Sequence, residues 1–126
     1  MKITDLHVYL TRPEGSNRSW LFVEIDTDEG VTGVGESTNS GGGGALIVGR
    51  AYEMLKHDLE GQDFSEGLIG QDPNNIDSIW HRIYRRFGTL GSRGFATTIA
   101  SGIDMALWDI KGRSEERRVG KECRSR

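Results

Sequence analysis

The first third of the chain alternates between apolar and polar residues with the two-residue period of a β-strand. Residues 2–12 alternate cleanly, and residues 20–25, WLFVEI, are rich in the aromatic and β-branched residues that favour strands. The turn DTDEG follows, in which Gly30 is expected to supply a positive φ, and residues 31–36 return as a third strand. These patterns predict a three-stranded antiparallel meander.

Three later segments repeat apolar residues at the period of a helix. The members of the first repeat are Ala45, Val48, Tyr52, Leu55 and Leu59. The second repeat covers residues 76–87, and Asp72 followed by Pro73 predicts an N-cap with proline at the first helical position. A sheet followed by helices predicts an α+β fold, a three-stranded antiparallel meander followed by a three-helix bundle.

The third repeat, residues 97–112, predicts a helix with apolar residues on two opposite faces. One face is a continuous stripe that comprises Ile99, Ile103, Ala106, Leu107 and Ile110. Met105 and Trp108 lie on roughly the opposite side, and Asp104 and Asp109 lie on the flanks. A helix with two apolar faces is expected to pack between two bodies. The preceding domain is one of them, and we expect the second to be missing from this sequence.

Length and composition are those of one soluble domain. No run approaches the roughly 20 apolar residues of a membrane span, and the N-terminus lacks a basic and apolar signal pattern. We therefore expect a cytoplasmic protein with no membrane partner. The single cysteine, Cys123, excludes an internal disulfide framework.

Charge is distributed unevenly between the body of the chain and its last fourteen residues. The tail, RSEERRVGKECRSR, has a net charge of +3, whereas residues 1–112 have a net charge of −6, which argues against a nucleic-acid surface. A solvated charge run or a nucleic-acid tail fits this composition. The tail also resembles the conceptual translation of a common sequencing-library adapter. We therefore divide the chain into a domain, residues 1–112, and a non-native tail, residues 113–126, which is expected to lack packed contacts.

None of the short motifs that are typical of metal or catalytic sites is complete in this sequence. Asp26 and Asp28 resemble the start of a calcium loop, but the later positions of that loop do not match. His7, His57 and His81 are far apart and form no pair with metal-binding spacing. The sequence therefore predicts no catalytic residue and no metal ligand within this chain.

Three phrases, in this order, resemble a known domain: WLFVEIDTDEGVTGVGES, IGQDPNNIDSIW and SGIDMALWDIKG. They resemble the N-terminal capping domain of the enolase superfamily, in its mandelate racemase / muconate lactonizing enzyme group. The resemblance covers residues 1–112, and the hairpin 24–36 and the helix 103–112 carry most of its specificity. The phrases IGQDP and ALWDIKG are most similar to acid-sugar dehydratases of the galactonate dehydratase kind.

The resemblance implies a parent enzyme in which a (β/α) barrel catalytic domain, absent here, follows residue 112. Three carboxylates of that barrel would hold Mg²⁺, beside lysine or histidine bases that abstract the proton α to a carboxylate. In dehydratases, the β-hydroxide then leaves. None of these ligands or bases corresponds to a position of this chain, so the chain is expected to be inert without its barrel. The parent is expected to be a homo-oligomer.

The resemblance also implies two sets of functional residues. Loops 11–19 and 37–44 would close over the barrel mouth and contact a small-molecule sugar acid. The substrate-contact candidates are Asn17, Arg18, Trp20, Ser37 and Asn39. The barrel-interface candidates are Asp104, Met105, Trp108 and Asp109.

Alternatives stay open at two levels. The same scaffold serves racemases and cycloisomerases, and the base residues of the barrel would distinguish these reactions from dehydration. A non-catalytic binding or oligomerisation module would equally explain a last helix with an uncovered apolar face. At the level of residues, Arg18 fits a solvated loop charge as well as a substrate contact, and Trp20 fits the core.

Overall fold

The computed structural model describes residues 1–37, 43–58 and 67–124. Its sheet comprises β1 (Ile3–Thr11), β2 (Trp20–Thr27) and β3 (Thr32–Ser37), which pair antiparallel in the order β1-β2-β3. Gly30 has a φ of 74° in the turn between β2 and β3. This antiparallel order confirms the predicted meander, and every second residue of β2 is buried.

Within the part of the chain that the structure describes, three helices follow the sheet and confirm the predicted α+β architecture. They are α1 (Gly44–Leu55), α2 (Ile76–Phe87) and α3 (Ala96–Arg124). A 3₁₀ turn, Gly88–Leu90, and a wider kinked turn, Gly91–Phe95, join α2 to α3. Leu59, which was expected to end the first helix, lies outside the described residues. Among the described residues, no helix is both long enough and apolar enough to cross a bilayer.

The predicted start of the second helix was three residues too early. Asp72 accepts a hydrogen bond from the backbone N–H of Asn74 at 2.9 Å, and its carbonyl accepts one from Asn75 at 3.1 Å. These bonds close a separate turn that contains Pro73. The side chain of Asp72 therefore caps this turn, and α2 begins at Ile76 with Asn75 at the N-cap.

The core depends on an unusually close approach of α3 to β3. A Cβ atom at Gly33 would overlap the backbone of Ala106, and a Cβ atom at Gly35 would overlap the carbonyl oxygen of Gly102. The two strand glycines therefore let the helix backbone lie directly on the strand. This contact fixes which face of α3 is covered by the sheet.

A buried hydroxyl pair joins three elements beside this contact. The hydroxyls of Ser37 on β3 and Tyr52 on α1 contact each other. Their oxygens lie 3.1 and 3.3 Å from the carbonyl oxygen of Thr98 on α3. Tyr52 is fully buried, and Ser37 is nearly so. The pair satisfies polar groups that would otherwise be unpaired in the core.

Alkaline pH is expected to destabilise the fold through Tyr52. Burial, opposed by the hydrogen bond to Ser37, raises the pKa of Tyr52 from 10.0 to about 12. Because the folded pKa exceeds the unfolded one, this contribution is complete below pH 10 and is lost as the pH rises towards 12. A two-unit shift corresponds to about 3 kcal/mol at most.

The measurement is urea unfolding of the chain and of Tyr52→Phe on both sides of this pH window. The free energy of unfolding should fall more steeply with pH in the unmodified chain than in the variant. Equal pH dependence in the two proteins would show that another group causes the loss.

Residues 113–124 of the tail continue α3 as a helix, although the sequence shows no apolar periodicity there. Ion pairs one turn apart support this continuation, Arg113 with Asp109 and Arg118 with Glu115, each at 3.1 Å. Val119 is 51% exposed, as expected, but Arg117 donates a hydrogen bond to the carbonyl of Glu29 at 2.7 Å. The division of the chain at residue 112 stays a prediction.

Candidate functional site

The two loops expected to contact substrate leave the sheet at the same end. Thr11 at the end of β1 pairs with Trp20 at the start of β2, so the connecting residues 12–19 project from this edge. Leu21 pairs with Ser37 at the end of β3, which places the start of the second loop one residue away along β2. The meander therefore brings both predicted loop origins together.

Within the first loop, the candidate side chains are available to solvent. Asn17 and Arg18 are exposed, and Trp20 is half-buried. The Ser16 hydroxyl accepts the backbone N–H of Arg18 at 3.1 Å, and the carbonyl of Ser16 accepts Arg12 Nε at 3.2 Å. The guanidinium of Arg18 forms no ion pair with another described residue. The loop backbone is thus braced, while the side chain of Arg18 is exposed.

Ser37, at the start of the second loop, contributes less to this surface than expected. Ser37 is only 3% exposed, and its hydroxyl is engaged by Tyr52 and Thr98. In this conformation its side chain supports the core, and a role in substrate contact stays a prediction. Asn39 lies outside the described residues. Trp20 lies on the outer face of the sheet, because the burial of β2 alternates and Leu21 beside it is buried.

The two-faced character of α3 is present in the structure. All five residues of the predicted stripe are buried, namely Ile99, Ile103, Ala106, Leu107 and Ile110. On the other side, Met105 is 47% exposed and Trp108 is 52% exposed. Lys111 Nζ lies 4.9 Å from the centroid of the Trp108 ring, a cation–π distance. Met105 and Trp108 therefore form an apolar surface that the described chain leaves uncovered, which we call the α3 outer face.

The two aspartates that flank the α3 outer face have different surroundings. Asp109 Oδ2 accepts the backbone N–H of Val34 at 2.9 Å, and its Oδ1 accepts Arg113 Nε at 3.1 Å. It therefore ties α3 to the edge of β3. Asp104 is half-buried, and desolvation followed by the charge of Asp77 raises its pKa. The charge of Asp109 is thus offset by Arg113, whereas Asp104 lies near a second carboxylate, Asp77.

An exposed apolar groove also lies between the three helices. Its volume is about 750 Å³, and Arg50 is its one charged lining residue among those described. The most exposed of its apolar side chains are Leu46, Ile47, Met54 and Leu90. The sequence did not predict this surface, because the exposed residues of α1 and of the 3₁₀ turn meet only once the helices are packed.

One cluster of potential metal ligands occurs among the described residues, and the sequence analysis missed it. His7, Glu24 and Asp26 each offer a ligand atom, and these atoms lie within 4.8 Å of one another. The set does not fit the Mg²⁺ that the resemblance implies, because Mg²⁺ requires oxygen ligands in near-octahedral geometry and avoids imidazole. The signal that could have revealed the cluster is strand register, since His7 and Glu24 are cross-strand partners.

Comparison with known proteins assigns the chain to a family. Residues 7–121 match the family described as mandelate racemase / muconate lactonizing enzyme, N-terminal domain. The chain belongs to this family. The predicted resemblance to the enolase superfamily is therefore confirmed, and the match extends beyond residue 112.

Curated relatives of this family member include D-galactonate dehydratases. That of Variovorax paradoxus (strain S110) is 41% identical over 116 residues, which cover 90% of this chain and 25% of the relative. That of Ralstonia pickettii (strain 12J) is 43% identical over 115 residues, with the same coverage. The chain thus spans about a quarter of the length of the curated relatives it matches.

Solved structures of the superfamily share the fold. A member of the enolase superfamily from Salmonella Typhimurium has a TM-score of 0.71 and 32% identity, covering 90% of this chain and 27% of that one. The 3,6-anhydro-D-galactonate cycloisomerase from Zobellia galactanivorans also has a TM-score of 0.71, with 26% identity over 90% of this chain and 29% of the cycloisomerase. Relatives with the same N-terminal fold therefore carry out more than one reaction.

Proposed function

We propose that the chain is the N-terminal capping part of a Mg²⁺-dependent acid-sugar dehydratase. In this proposal, the parent abstracts the proton α to the carboxylate of a sugar acid, and a catalytic barrel outside this sequence performs the chemistry. The chain supplies substrate specificity and is inert by itself. The similarity to D-galactonate dehydratases, which this chain matches over a quarter of their length, supports this assignment.

The observation that carries the proposal is the α3 outer face. Met105 and Trp108 are about half exposed on a helix whose opposite face is fully buried. Uncovered apolar surface of this kind marks a contact with another body. A barrel that follows α3 in the parent would cover it, and the half-buried carboxylate of Asp104 would then lie at the border of that contact.

The chain's own contribution would come from the loop between β1 and β2. Arg18 is exposed at the sheet edge and has no described ion-pair partner, so its guanidinium is free to bind a carboxylate or to donate to sugar hydroxyls. Asn17 beside it offers a further donor and acceptor. Trp20 would form an apolar wall at the base of this loop. Held over a barrel mouth, these groups would select the distal end of the substrate and exclude water.

A chimera tests the proposal. Residues 1–112 replace the corresponding quarter of the Variovorax paradoxus enzyme, and consumption of D-galactonate is measured with Mg²⁺ present. We expect the chimera to turn over substrate and the present chain alone to give only background. Trp108→Ser in the chimera should reduce soluble assembly or activity. Leu46→Ser is the matched control, because Leu46 is 65% exposed but lies on α1.

Two results would contradict the proposal. Turnover by the chain alone would place the catalytic groups within these 126 residues. A soluble, folded chimera without activity, in which Trp108→Ser and Leu46→Ser behave alike, would mean that the α3 outer face does not meet a barrel.

A cycloisomerase parent is the second candidate, and the similarity to the Zobellia galactanivorans enzyme favours it. The same residues joined to that enzyme's barrel would discriminate the two. The turnover of 3,6-anhydro-D-galactonate by the Zobellia galactanivorans chimera is compared with the turnover of D-galactonate by the Variovorax paradoxus chimera. A higher value for the former would favour cycloisomerisation. A racemase, or a non-catalytic oligomerisation module, is expected only if neither chimera is active.

A further inference from the structure

We propose that His7, Glu24 and Asp26 form a binding site for a borderline transition-metal ion, with Zn²⁺ as the expected occupant. The site lies on the outer face of the sheet and is separate from the loops and the α3 outer face. Its ligands would be one imidazole nitrogen and two carboxylate oxygens. Water would complete the coordination, because all three side chains are only partly buried.

The sheet holds the three side chains in one place without help from a loop. His7 on β1 and Glu24 on β2 are directly paired across the two strands, so their side chains project from the same face. Asp26 lies two residues along β2 from Glu24 and therefore shares that face. Strands are more rigid supports for a ligand set than exposed loops. The three ligand atoms lie within 4.8 Å of one another, so small rotations of the side chains would bring all three onto a single ion.

The ligand chemistry selects the metal. Imidazole suits Zn²⁺ and similar ions, whereas Ca²⁺ and Mg²⁺ take oxygen ligands. His7 Nε2 lies 2.9 Å from Asp26 Oδ2, a hydrogen bond in which one proton lies between the two ligand atoms. An ion bound to both atoms takes the place of that proton, and the imidazole then carries its proton on Nδ1.

A supporting contact orients Asp26 towards the site. Its other oxygen, Oδ1, accepts a hydrogen bond from the hydroxyl of Thr32 at 3.1 Å. Metal-binding carboxylates are commonly held in this way by a neighbouring donor. Thr32 is the cross-strand partner of Asp26 on β3, so all three strands contribute to the arrangement.

The local charge favours a cation. Asp5 Oδ2 lies 3.7 Å from His7 Nε2, and Lys56 pairs with the other oxygen of Asp5 at 3.6 Å. Lys56 therefore offsets Asp5, which leaves the charges of Glu24 and Asp26 beside a single imidazole. An excess of negative charge around an imidazole is the environment that a divalent cation stabilises.

Calorimetric titration of the full chain with Zn²⁺ tests this site. Cys123→Ser is the background for every variant, because a thiol would compete for the metal. We expect one equivalent of Zn²⁺ to bind and Mg²⁺ not to displace it. Loss of a supporting residue commonly weakens metal binding by about 10–100-fold, so Thr32→Val should have an effect in this range and His7→Ala a larger one.

His57→Ala is the matched control, since His57 is exposed and lies outside the cluster. Circular dichroism establishes that each variant is folded. Glu24→Gln, which keeps the size of the side chain, replaces His7→Ala if the latter is unfolded. Unchanged Zn²⁺ affinity in His7→Ala or in Glu24→Gln would overturn the site, as would equal losses in His57→Ala and His7→Ala.

Discussion

Replacing Gly35 with alanine is expected to lower the free energy of unfolding by several kcal/mol. A Cβ atom at this position would overlap the carbonyl oxygen of Gly102, which belongs to the backbone of α3. A flexible side chain could move aside, but this helix backbone is held against β3 along Gly33 as well. Overpacking of a core costs about 1–3 kcal/mol, and more where backbone must shift, against a total stability of about 5–15 kcal/mol.

Gly112→Ala is the matched control for this substitution. Gly112 lies within α3, and an added Cβ there meets no atom within 4 Å. Alanine in a helix interior is more favourable than glycine by about 1 kcal/mol, so this variant should be slightly more stable. Thermal unfolding followed by circular dichroism measures both. A cooperative transition for Gly35→Ala at the temperature of the unmodified chain would mean that α3 does not lie on β3 as described.

Periodicity was sufficient to predict most of the fold. The alternation in residues 20–25 and the helical repeat that includes Ile103 each express a local rule, because burial of one face demands apolar residues at fixed spacing. The same rule predicted that Met105 and Trp108 would lie opposite the buried stripe, and they are exposed. Short stretches of sequence were therefore enough to predict the type of these elements and which of their faces is buried.

What could not be predicted depends on contacts between distant residues. Nothing local to Gly35 indicates that Gly102 will lie against it, and the role of Ser37 depends on Tyr52 and Thr98, which come from other elements. The sequence placed Ser37 in a loop that contacts substrate, whereas the structure buries its side chain. A single sequence does not supply these distances.

The metal-ligand cluster occupies an intermediate position between these cases. The alternation of β1 placed His7 on the polar face, and the meander itself was predicted. The cross-strand pairing of His7 with Glu24 fixes the cluster, and that pairing depends on the length of the loop between β1 and β2, which sets the register. A shift of one residue would have placed Glu24 on the buried face. Register is therefore the quantity that separates a predicted fold from a predicted site.

The second large effect is expected from a pair of alanine substitutions in α3, of which only one should destabilise the isolated chain. Ile103 is 1% exposed and Met105 is 47% exposed, although they are two residues apart on α3. Ile103→Ala removes buried side-chain atoms and should lower the free energy of unfolding by about 2–5 kcal/mol. Met105→Ala should change it by less than about 0.5 kcal/mol in the isolated chain, as is usual at an exposed position.

Repeating this pair in the D-galactonate dehydratase chimera distinguishes a docking face from an ordinary surface. If a barrel covers the α3 outer face, Met105→Ala removes packed atoms there, and its effect should rise towards that of Ile103→Ala. Urea unfolding of both variants in both proteins gives the comparison, and Leu46→Ala, exposed on α1, serves as the control. A large effect of Met105→Ala in the isolated chain would mean that its own residues already cover this face. The observation that supports a missing catalytic domain would then be lost, because α3 would have no surface left to bury.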